Sequence, residues 1–279
     1  IRNRIKTLKT RNMNLLDKII RTKKIRIREL KERIPVNLLK HYELYARPVI
    51  SLRKSLLLQE SCGIIAEFKR KSPSKGIINM HADPDRISRG YVNAGASAIS
   101  VLTDHEFFHG SNTDLVNTRK SVDCPVLRKD FILDEYQVIE TKAIGADAVL
   151  LIAECLEKQK LKCLANLAKE IGLEVIIEIH SAEQLDKLNE NIDIIGVNNR
   201  NLNNFTVDVK NSFELALLIP EEYIKISESG INDPAIIPEL KKAGYNGFLI
   251  GEFFMCTGNP QESCSSFIEQ IKGFEQKTV

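Results

Sequence analysis

The chain has 279 residues, of which 43% are hydrophobic and 28% are charged, as is typical of a soluble globular protein with one large domain or two small ones. No uninterrupted apolar run approaches the roughly 18 residues that a membrane helix needs, and no apolar stretch of the signal-peptide type follows the basic N-terminal residues. These features exclude membrane-spanning and secreted disulfide-rich proteins and predict a cytoplasmic location with no membrane partner.

The cysteines and histidines give no sign of a metal site. The six cysteines form no CxxC pair, and several lie within apolar runs, so we expect free thiols in a reducing compartment. His105 and His109 have the i, i+4 spacing of a metal-binding pair, but no third ligand lies near them in the sequence. We therefore predict no bound metal.

Positive charge is concentrated at the N-terminus. Residues 1–62 contain 17 Lys and Arg against 5 Asp and Glu, a net charge of +12, whereas residues 63–279 contain 23 against 32, a net charge of −9. Five of the positive charges lie in residues 1–12. We interpret Met13 as the natural start and expect residues 1–12 to be a leader outside the fold. A nucleic-acid-binding arm or a targeting segment is the alternative.

Residues 13–62 are predicted to form a helical extension. Apolar residues such as Ile19, Ile20 and Ile27 recur at helical intervals with charged residues between them, which is the pattern of an amphipathic helix. Pro35 then interrupts the pattern. The main domain follows, and we expect it to form one unit with the extension.

From residue 63 onward, short runs rich in Val and Ile alternate with amphipathic stretches. The runs are almost continuously apolar, as expected for parallel strands that are buried on both faces. Eight strands are predicted, at residues 63–69, 98–103, 125–131, 148–153, 173–180, 192–198, 223–228 and 247–253.

Helical stretches fill the intervals between these strands. Four of them are followed by a glycine, which is typical of a helix C-terminus, and Asn112, Asp134, Ser181 and Asp233 stand where N-caps are expected. Eight β/α units within roughly 215 residues favour a closed (β/α)8 TIM barrel over residues 63–279 rather than an open doubly wound sheet. No GxGxxG sequence follows the first strand, which disfavours a dinucleotide-binding fold.

The first strand leads into residues 64–76, IIAEFKRKSPSKG. Glu67 and Lys69 are two residues apart, so they lie on one face at the end of this strand. Taken alone, the segment is equally compatible with an edge strand that enters a solvated basic loop. We expect the neighbouring Arg70 and Lys71 to be solvated.

Polar and ionisable residues recur at the C-terminal ends of the other strands, where the active site of a (β/α)8 barrel lies. Charges at the same end of five or six strands converge on one small opening, and ordinary structural ion pairs do not explain that convergence. A catalytic cluster is therefore predicted. The residues at these strand ends are Glu67, Lys69, Lys129, Phe131, Glu178, Asn198, Arg200, Glu228, Ser229, Gly230, Gly251 and Glu252.

The last two strand ends also predict a phosphate site. Small residues there, Ser229-Gly230 and Gly251, allow backbone N–H groups to approach an anion, and barrels often bind phosphate at this position. Ser72, in the loop after the first strand, would add a hydroxyl group. The predicted partner is a phosphorylated small molecule, with no nucleic acid.

Several of these segments together resemble the indole-3-glycerol phosphate synthase family of tryptophan biosynthesis. The similarity extends from about Met13 to the C-terminus, and the first segment is the most specific. The segments are IAEFKRKSPS at 65–74, LRKDF at 127–131, IEIH at 177–180, GVNNRNL at 196–202, SESGI at 227–231 and IGE at 250–252.

The resemblance implies a lyase that converts 1-(2-carboxyphenylamino)-1-deoxyribulose 5-phosphate to indole-3-glycerol phosphate with loss of CO2 and water. It implies no metal or organic cofactor. We expect Lys129, as a desolvated lysine with a lowered pKa, to be the principal acid. Glu178 would stabilise the cationic intermediate and move protons during dehydration. Lys69 would hold the substrate carboxylate or act as a second acid.

The remaining roles also follow from the resemblance. Glu67 would position Lys69, and Glu228 would orient substrate hydroxyls or a lysine. Binding residues fall into two further groups. The aromatic and polar parts of the substrate would contact Phe131, Asn198, Arg200 and Leu202, and its phosphate would contact Ser72, Ser229, Gly230, Gly251 and Glu252. A monomer is expected, with possible association with other enzymes of the pathway.

Three alternatives remain open at this point. Lys129 ends a strand as the lysine of a Schiff-base aldolase would, and a sugar-phosphate isomerase such as phosphoribosylanthranilate isomerase also uses a phosphate-binding barrel. A non-catalytic nucleic-acid-binding protein would use residues 1–62 and bind in a salt-sensitive manner.

Overall fold

A computed structural model describes residues 14–202 and 204–276. The predicted leader, residues 1–12, and the predicted start at Met13 lie outside the described residues. Eight parallel strands close into a barrel, each hydrogen-bonded to the next in chain order, and the last pairs with the first. The strands are β1 Ile64–Phe68, β2 Ala98–Leu102, β3 Val126–Lys129, β4 Ala148–Ile152, β5 Glu174–Ile179, β6 Ile194–Asn198, β7 Ile224–Glu228 and β8 Gly247–Ile250.

Helices surround the barrel, and a short hairpin (Lys71–Ser72 with Gly76–Ile77) follows β1. The 3-10 helices are Glu43–Ala46, Ala153–Cys155, Ala182–Lys187 and Pro234–Ile236. The α-helices are α1 Leu15–Arg33, α2 Val36–Leu39, α3 Leu52–Leu57, α4 Pro84–Asn93, α5 His105–Phe108, α6 Asn112–Ser121, α7 Glu135–Ala143, α8 Lys158–Glu170, α9 Lys210–Ala216, α10 Ile237–Lys242, α11 Glu252–Met255 and α12 Pro260–Gln276.

The predicted (β/α)8 barrel and its N-terminal helical extension are confirmed, and every predicted strand contains an observed one. One predicted N-cap is wrong. Asn112 is the first residue of α6, and Ser111 is the cap, because its hydroxyl accepts a hydrogen bond from the N–H of Asp114. Ser181 precedes a 3-10 helix, and its side chain makes no capping hydrogen bond.

The interior of the barrel is filled by branched side chains from alternating strand positions, such as Ile65, Leu127 and Ile176. The opposite faces of the same strands pack against the helices in a second, larger cluster. Both faces are therefore buried, which explains why the strands are almost continuously apolar in sequence.

The N-terminal extension covers both ends of the barrel. Leu16 and Ile19 of α1 pack at the C-terminal ends of the strands, and Leu52 and Leu56 of α3 pack into the same interior cluster from the other end. Lys23 of α1 is buried.

No helix among residues 14–202 and 204–276 is long and apolar enough to cross a membrane.

Candidate active site

One cavity of about 970 Å³ opens at the C-terminal ends of the barrel strands. This is the end at which (β/α)8 barrels carry their active sites. The cavity brings together all the site residues predicted from the sequence. They are Glu67, Lys69, Ser72, Lys129, Phe131, Glu178, Asn198, Arg200, Leu202, Glu228, Ser229, Gly230, Gly251 and Glu252.

Glu67 and Lys69 form an ion pair at the end of β1, with 3.0 Å between Lys69 Nζ and Glu67 Oε1. The pair follows from the alternation of side chains along a strand, which directs both toward the barrel axis. Glu67 also lies against Gly251, where an added Cβ would come within 2.5 Å of Glu67 Oε1. Only glycine leaves room at this position for the carboxylate.

Lys129, at the end of β3, lies between two carboxylates from β5 and β7. Its Nζ is 2.9 Å from Glu178 Oε2 and 3.7 Å from Glu228 Oε2. Both glutamate side chains are 1% exposed, whereas Lys129 retains 16% exposure toward the cavity. The lysine is therefore the member of the cluster that a bound molecule can reach.

The expected lowered pKa of Lys129 is wrong. Burial alone would lower the pKa of this amine, but the carboxylates of Glu178, Glu228 and Glu67 outweigh burial and raise the pKa above its ordinary value. The expectation rested on desolvation alone, whereas three carboxylates from other strands surround the amine. Lys129 is therefore a charged ammonium group at neutral pH.

Glu178 is held as a carboxylate. Burial opposes ionisation, but the charge of Lys129 and the hydrogen bonds from Lys129 and Asn198 outweigh burial and lower the pKa of Glu178. Asn198 Nδ2 donates to Glu178 Oε1 over 3.0 Å. The Asn198 amide is itself oriented, because its Oδ1 accepts from the N–H of Arg200 over 2.9 Å. The sequence GVNNR thus supplies the group that positions Glu178.

Glu228 differs from Glu178 although both are equally buried. Burial and the charge of Glu178 raise the pKa of Glu228 to about 8. Neither of its oxygens makes a hydrogen bond with a described residue. An added Cβ at Gly196 would lie 2.2 Å from Glu228 Oε1. Glu228 is thus a neutral acid, buried beside Glu178 in the wall of the cavity.

A corner of the cavity has the backbone conformation of an anion site. Ser229 and Gly230 both have positive φ angles, 68° and 78°, and consecutive residues in unusual conformations can direct backbone N–H groups to one point. An added Cβ at Gly230 would lie 2.4 Å from Val207 Cγ1. Ser72 and Gly251 line the same cavity.

Charged side chains border this corner. Arg200 Nη2 lies 3.4 Å from Glu252 Oε2, and its Nη1 is 3.3 Å from Ser74 Oγ. Lys75 Nζ is 4.0 Å from the other oxygen of Glu252. The carboxylate of Glu252 therefore pairs with two cationic side chains, Arg200 and Lys75, and a bound phosphate would compete with it for them.

The expectation that Arg70 is solvated is wrong. Its guanidinium group donates to both oxygens of Asp114, over 2.6 Å and 2.9 Å, and lies 4.8 Å above the centre of the Phe68 ring. The partner lies 44 residues away along the chain, so no local pattern in the sequence indicates the pair. Arg70 anchors the loop after β1 and does not line the cavity.

The apolar wall of the cavity includes residues that the sequence reasoning missed. Phe108 of α5 lies 6.2 Å from Phe131, ring centre to ring centre, and its position soon after the second predicted strand was a usable signal. Leu16 and Ile19 of α1 also line the cavity.

Lys23 holds α1 at the cavity, with its Nζ 2.9 Å from Asp104 and 2.6 Å from Asp130.

Comparisons with solved structures give the fold. The chain matches thiamine phosphate pyrophosphorylase from Pyrococcus furiosus with a TM-score of 0.56 and 15% identity, over 79% of this chain and 99% of that one. It matches a mutant tryptophan synthase alpha-subunit from the same organism with a TM-score of 0.55 and 15% identity, over 76% and 98%.

Sequence comparisons give the family. The model of the family "Indole-3-glycerol phosphate synthase" matches residues 16–267. The chain is 48% identical to the indole-3-glycerol phosphate synthase of Bacteroides thetaiotaomicron, over 93% of this chain and 99% of that protein. It is 41% identical to that of Lachnoclostridium phytofermentans, over 88% and 95%. With the barrel and the charged cavity in place, these matches establish that the chain belongs to the indole-3-glycerol phosphate synthase family.

Proposed function

We propose that the charged cavity closes the indole ring of 1-(2-carboxyphenylamino)-1-deoxyribulose 5-phosphate, with loss of CO2 and water. The single observation that supports this assignment best is the position of Lys129. It is an ammonium group that faces an aromatic-walled cavity and contacts a carboxylate, Glu178, that is able to take a proton back.

The substrate phosphate binds at the corner formed by Ser72, the Ser229-Gly230 turn and Gly251, with Glu252 contributing its backbone N–H. Backbone N–H groups and hydroxyls suit a phosphate because they can donate several hydrogen bonds without adding a buried charge. The anthranilate ring lies on the apolar wall against Phe131 and Phe108. Leu202 completes the wall beside Arg200.

Lys129 acts as the acid in ring closure. The ring carbon that bears the carboxylate attacks the ketone carbon, and negative charge develops on the ketone oxygen. A fixed ammonium group in a water-poor cavity stabilises that charge and transfers a proton to it. The raised pKa of Lys129 keeps it protonated before the reaction, and it disfavours the Schiff-base aldolase alternative, which requires a neutral amine.

Glu178 acts as the base. Its carboxylate stabilises the cation that forms on ring closure, and it later removes a proton from the carbon beside the nitrogen during dehydration. Asn198 holds Glu178 at a fixed angle, and the contact between Glu178 and Lys129 allows the proton to return to the lysine.

Three further residues complete the reaction. Lys69, paired with Glu67, holds the substrate carboxylate until it leaves as CO2, or acts as a second acid. Glu228, as a neutral acid, donates a hydrogen bond to a substrate hydroxyl. Arg200 and Asn198 contact the polar edge of the substrate.

The experiment that tests this function is direct. Purified protein is mixed with the carboxyphenylamino substrate, and indole fluorescence is followed. A rise in fluorescence that is absent with the heat-unfolded chain supports the proposal. A folded protein that gives no signal, or a product that keeps the substrate carboxylate as the isomerase alternative requires, contradicts it.

We further infer that the protein is a monomer in the cytoplasm that can associate with other enzymes of tryptophan biosynthesis. All six cysteines lie in the described part of the chain and are free thiols, which suits a reducing compartment. Light scattering after size-exclusion chromatography measures the oligomeric state, and fractionation of the source cells measures the location.

A further inference from the structure

A second, smaller cavity lies beside the active site. It has a volume of about 330 Å³, and most of the residues that line it are polar. Exposed residues, including Glu154 and Asp208, form its outer part, and Asn198 and Arg200 belong to the walls of both cavities. The side cavity thus opens to solvent and shares a wall with the active-site cavity.

His180 stands at the inner end of this side cavity. It follows β5, two residues after Glu178, so both side chains leave the strand on the same side. The imidazole Nε2 is 3.4 Å from Glu178 Oε1, and the side chain is 12% exposed. Neither ring nitrogen makes a hydrogen bond with a described residue.

Hydrogen bonds hold the backbone of His180 in place, whereas its ring nitrogens have no hydrogen-bond partner among the described residues. The N–H of His180 donates to Gln184 Oε1 over 2.7 Å, and its carbonyl accepts from Asn211 Nδ2 over 3.4 Å. Buried polar atoms in folded proteins almost always have a partner. Both nitrogens are shielded from solvent in this conformation, and the carboxylate of Glu178 is the acceptor nearest to Nε2. The exposed part of the side chain belongs to other atoms of the ring and its stem.

The charges around His180 leave its ring neutral. Burial lowers the pKa of the imidazole, and the positive charge of Lys129 lowers it further. The carboxylates of Glu178 and Glu154 raise it, but not enough to restore the ordinary value, so the pKa of His180 is lowered. Asp208 and Arg200 also line the side cavity. A neutral imidazole has one donor and one acceptor nitrogen, which allows it to receive and release a proton at the same time.

The proposed reaction creates a need for such a group. The ketone oxygen leaves as water and takes two protons, of which the carbon beside the nitrogen supplies one. The carboxylate leaves as neutral CO2, and its bonding electrons remain in the ring. Each turnover therefore consumes one proton from solvent. With substrate in the main cavity, the exposed side of Lys129 is covered, and that proton needs another route.

We propose that His180 relays this proton from the side cavity to Glu178, an assignment that rests on the proposed function. A rotation of the ring turns one nitrogen toward the side cavity, where a water gives it a proton, and the other nitrogen gives its proton to Glu178 Oε1. Glu178 then returns a proton to Lys129 Nζ, 2.9 Å away. The ring stays neutral, and exchange with cavity water restores its tautomer.

The relay is tested with His180→Gln in stopped-flow measurements of indole fluorescence. With enzyme in excess, the single turnover uses protons already on the enzyme, so its rate should stay within about twofold of the unmodified chain. With substrate in excess at low buffer concentration, turnover should fall at least about tenfold, as expected when a proton-transfer group is lost. Added imidazole buffer should restore most of it.

Two outcomes overturn the relay. An equal loss in the first turnover means that His180 only positions Glu178, and an unchanged steady-state rate at low buffer concentration means that protons arrive elsewhere. His180→Asn is a smaller second variant to be measured in the same way, and thermal unfolding confirms that each variant folds.

His41→Gln is the matched control, because His41 is exposed and bonds locally to the carbonyl of Asn37. It should change neither rate. An unmodified chain that forms no indole product defeats the proposed function itself, whereas an active chain with an unaffected His180→Gln variant defeats only the relay.

Discussion

The two ends of the barrel each hold a cluster of buried charges, and the clusters differ in how fully their oxygens are bonded. At the N-terminal end, Asp147 Oδ1 pairs with Arg47 and accepts from the N–H of Ile50 over 2.7 Å. Its Oδ2 accepts from Arg119 over 2.9 Å and from the N–H of Val126 over 2.8 Å. Every contact of this carboxylate is made within the protein.

At the C-terminal end, the cluster is incomplete. Three carboxylates, Glu67, Glu178 and Glu228, face two lysines, and both oxygens of Glu228 lack a hydrogen-bond partner among the described residues. Burial is similar at the two ends, so burial alone does not identify an active site. Carboxylate oxygens that have no hydrogen-bond partner and lie beside a cavity are the distinguishing feature.

The largest expected effect concerns Lys129. Lys129→Met keeps a similar chain of methylene groups but removes the acid, so turnover should fall by about 10³-fold or more while the free energy of unfolding changes little. Turnover is measured by indole fluorescence and folding by circular dichroism. Lys158→Met, at an exposed lysine on α8, is the control and should be active. Substantial ring closure by Lys129→Met would refute Lys129 as the principal acid.

The opposite result is expected at the other end of the barrel. Asp147→Asn leaves Arg47 and Arg119 without a buried countercharge, so the free energy of unfolding should fall by about 3–5 kcal/mol, with turnover per folded molecule retained. Urea unfolding measures the loss. Asp186→Asn breaks an exposed pair with Lys158 and should cost less than about 1 kcal/mol. Equal losses for the two variants would remove the distinction between the clusters.

The raised pKa of Glu228 predicts a dependence of stability on pH. Between its ordinary value of 4.5 and about 8, the folded chain holds a proton on Glu228 that the unfolded chain has released. The contribution of this group to stability is therefore present at low pH and lost as pH rises through that window.

Glu228→Gln should abolish this contribution, so the variant should gain stability relative to the unmodified chain, by on the order of a few kcal/mol, as pH rises from about 5 to 8. Urea unfolding at several pH values measures the difference. Glu221→Gln, at an exposed position, is the control. Parallel stability curves for Glu228→Gln and the unmodified chain would mean that Glu228 is ionised in the folded state.

The smallest effect is expected at the rim of the cavity. Glu252→Gln removes a carboxylate that contacts Arg200 beside the proposed phosphate corner, so KM should fall by about two- to fivefold with kcat unchanged, in keeping with a partly exposed ion pair. Steady-state kinetics measures both. Glu269→Gln, exposed on α12, should leave KM as it is. A higher KM would indicate that the Glu252 side chain helps to bind substrate.

The sequence alone determined the barrel and the membership of the cavity. Eight apolar runs with glycine-terminated helices between them are sufficient to predict a closed parallel sheet, because strands buried on both faces need helices around them. In such a sheet all C-terminal strand ends meet, so residues as far apart as Glu67 and Glu252 were placed together by topology. The position of each side chain along its strand then indicated which residues point inward.

Only the tertiary structure decided the charge states and the remaining partners. A lysine in an apolar run is expected to have a lowered pKa, but the pKa of Lys129 is raised because carboxylates from other strands surround it. For Glu228, the charge of Glu178 on another strand adds to burial and raises the pKa to about 8. The sequence pattern likewise did not predict the pairing of Arg70 with Asp114 or the lack of hydrogen-bond partners for the ring nitrogens of His180. Electrostatic energies depend on distances through space and on the loss of water, and neither is encoded in local sequence pattern.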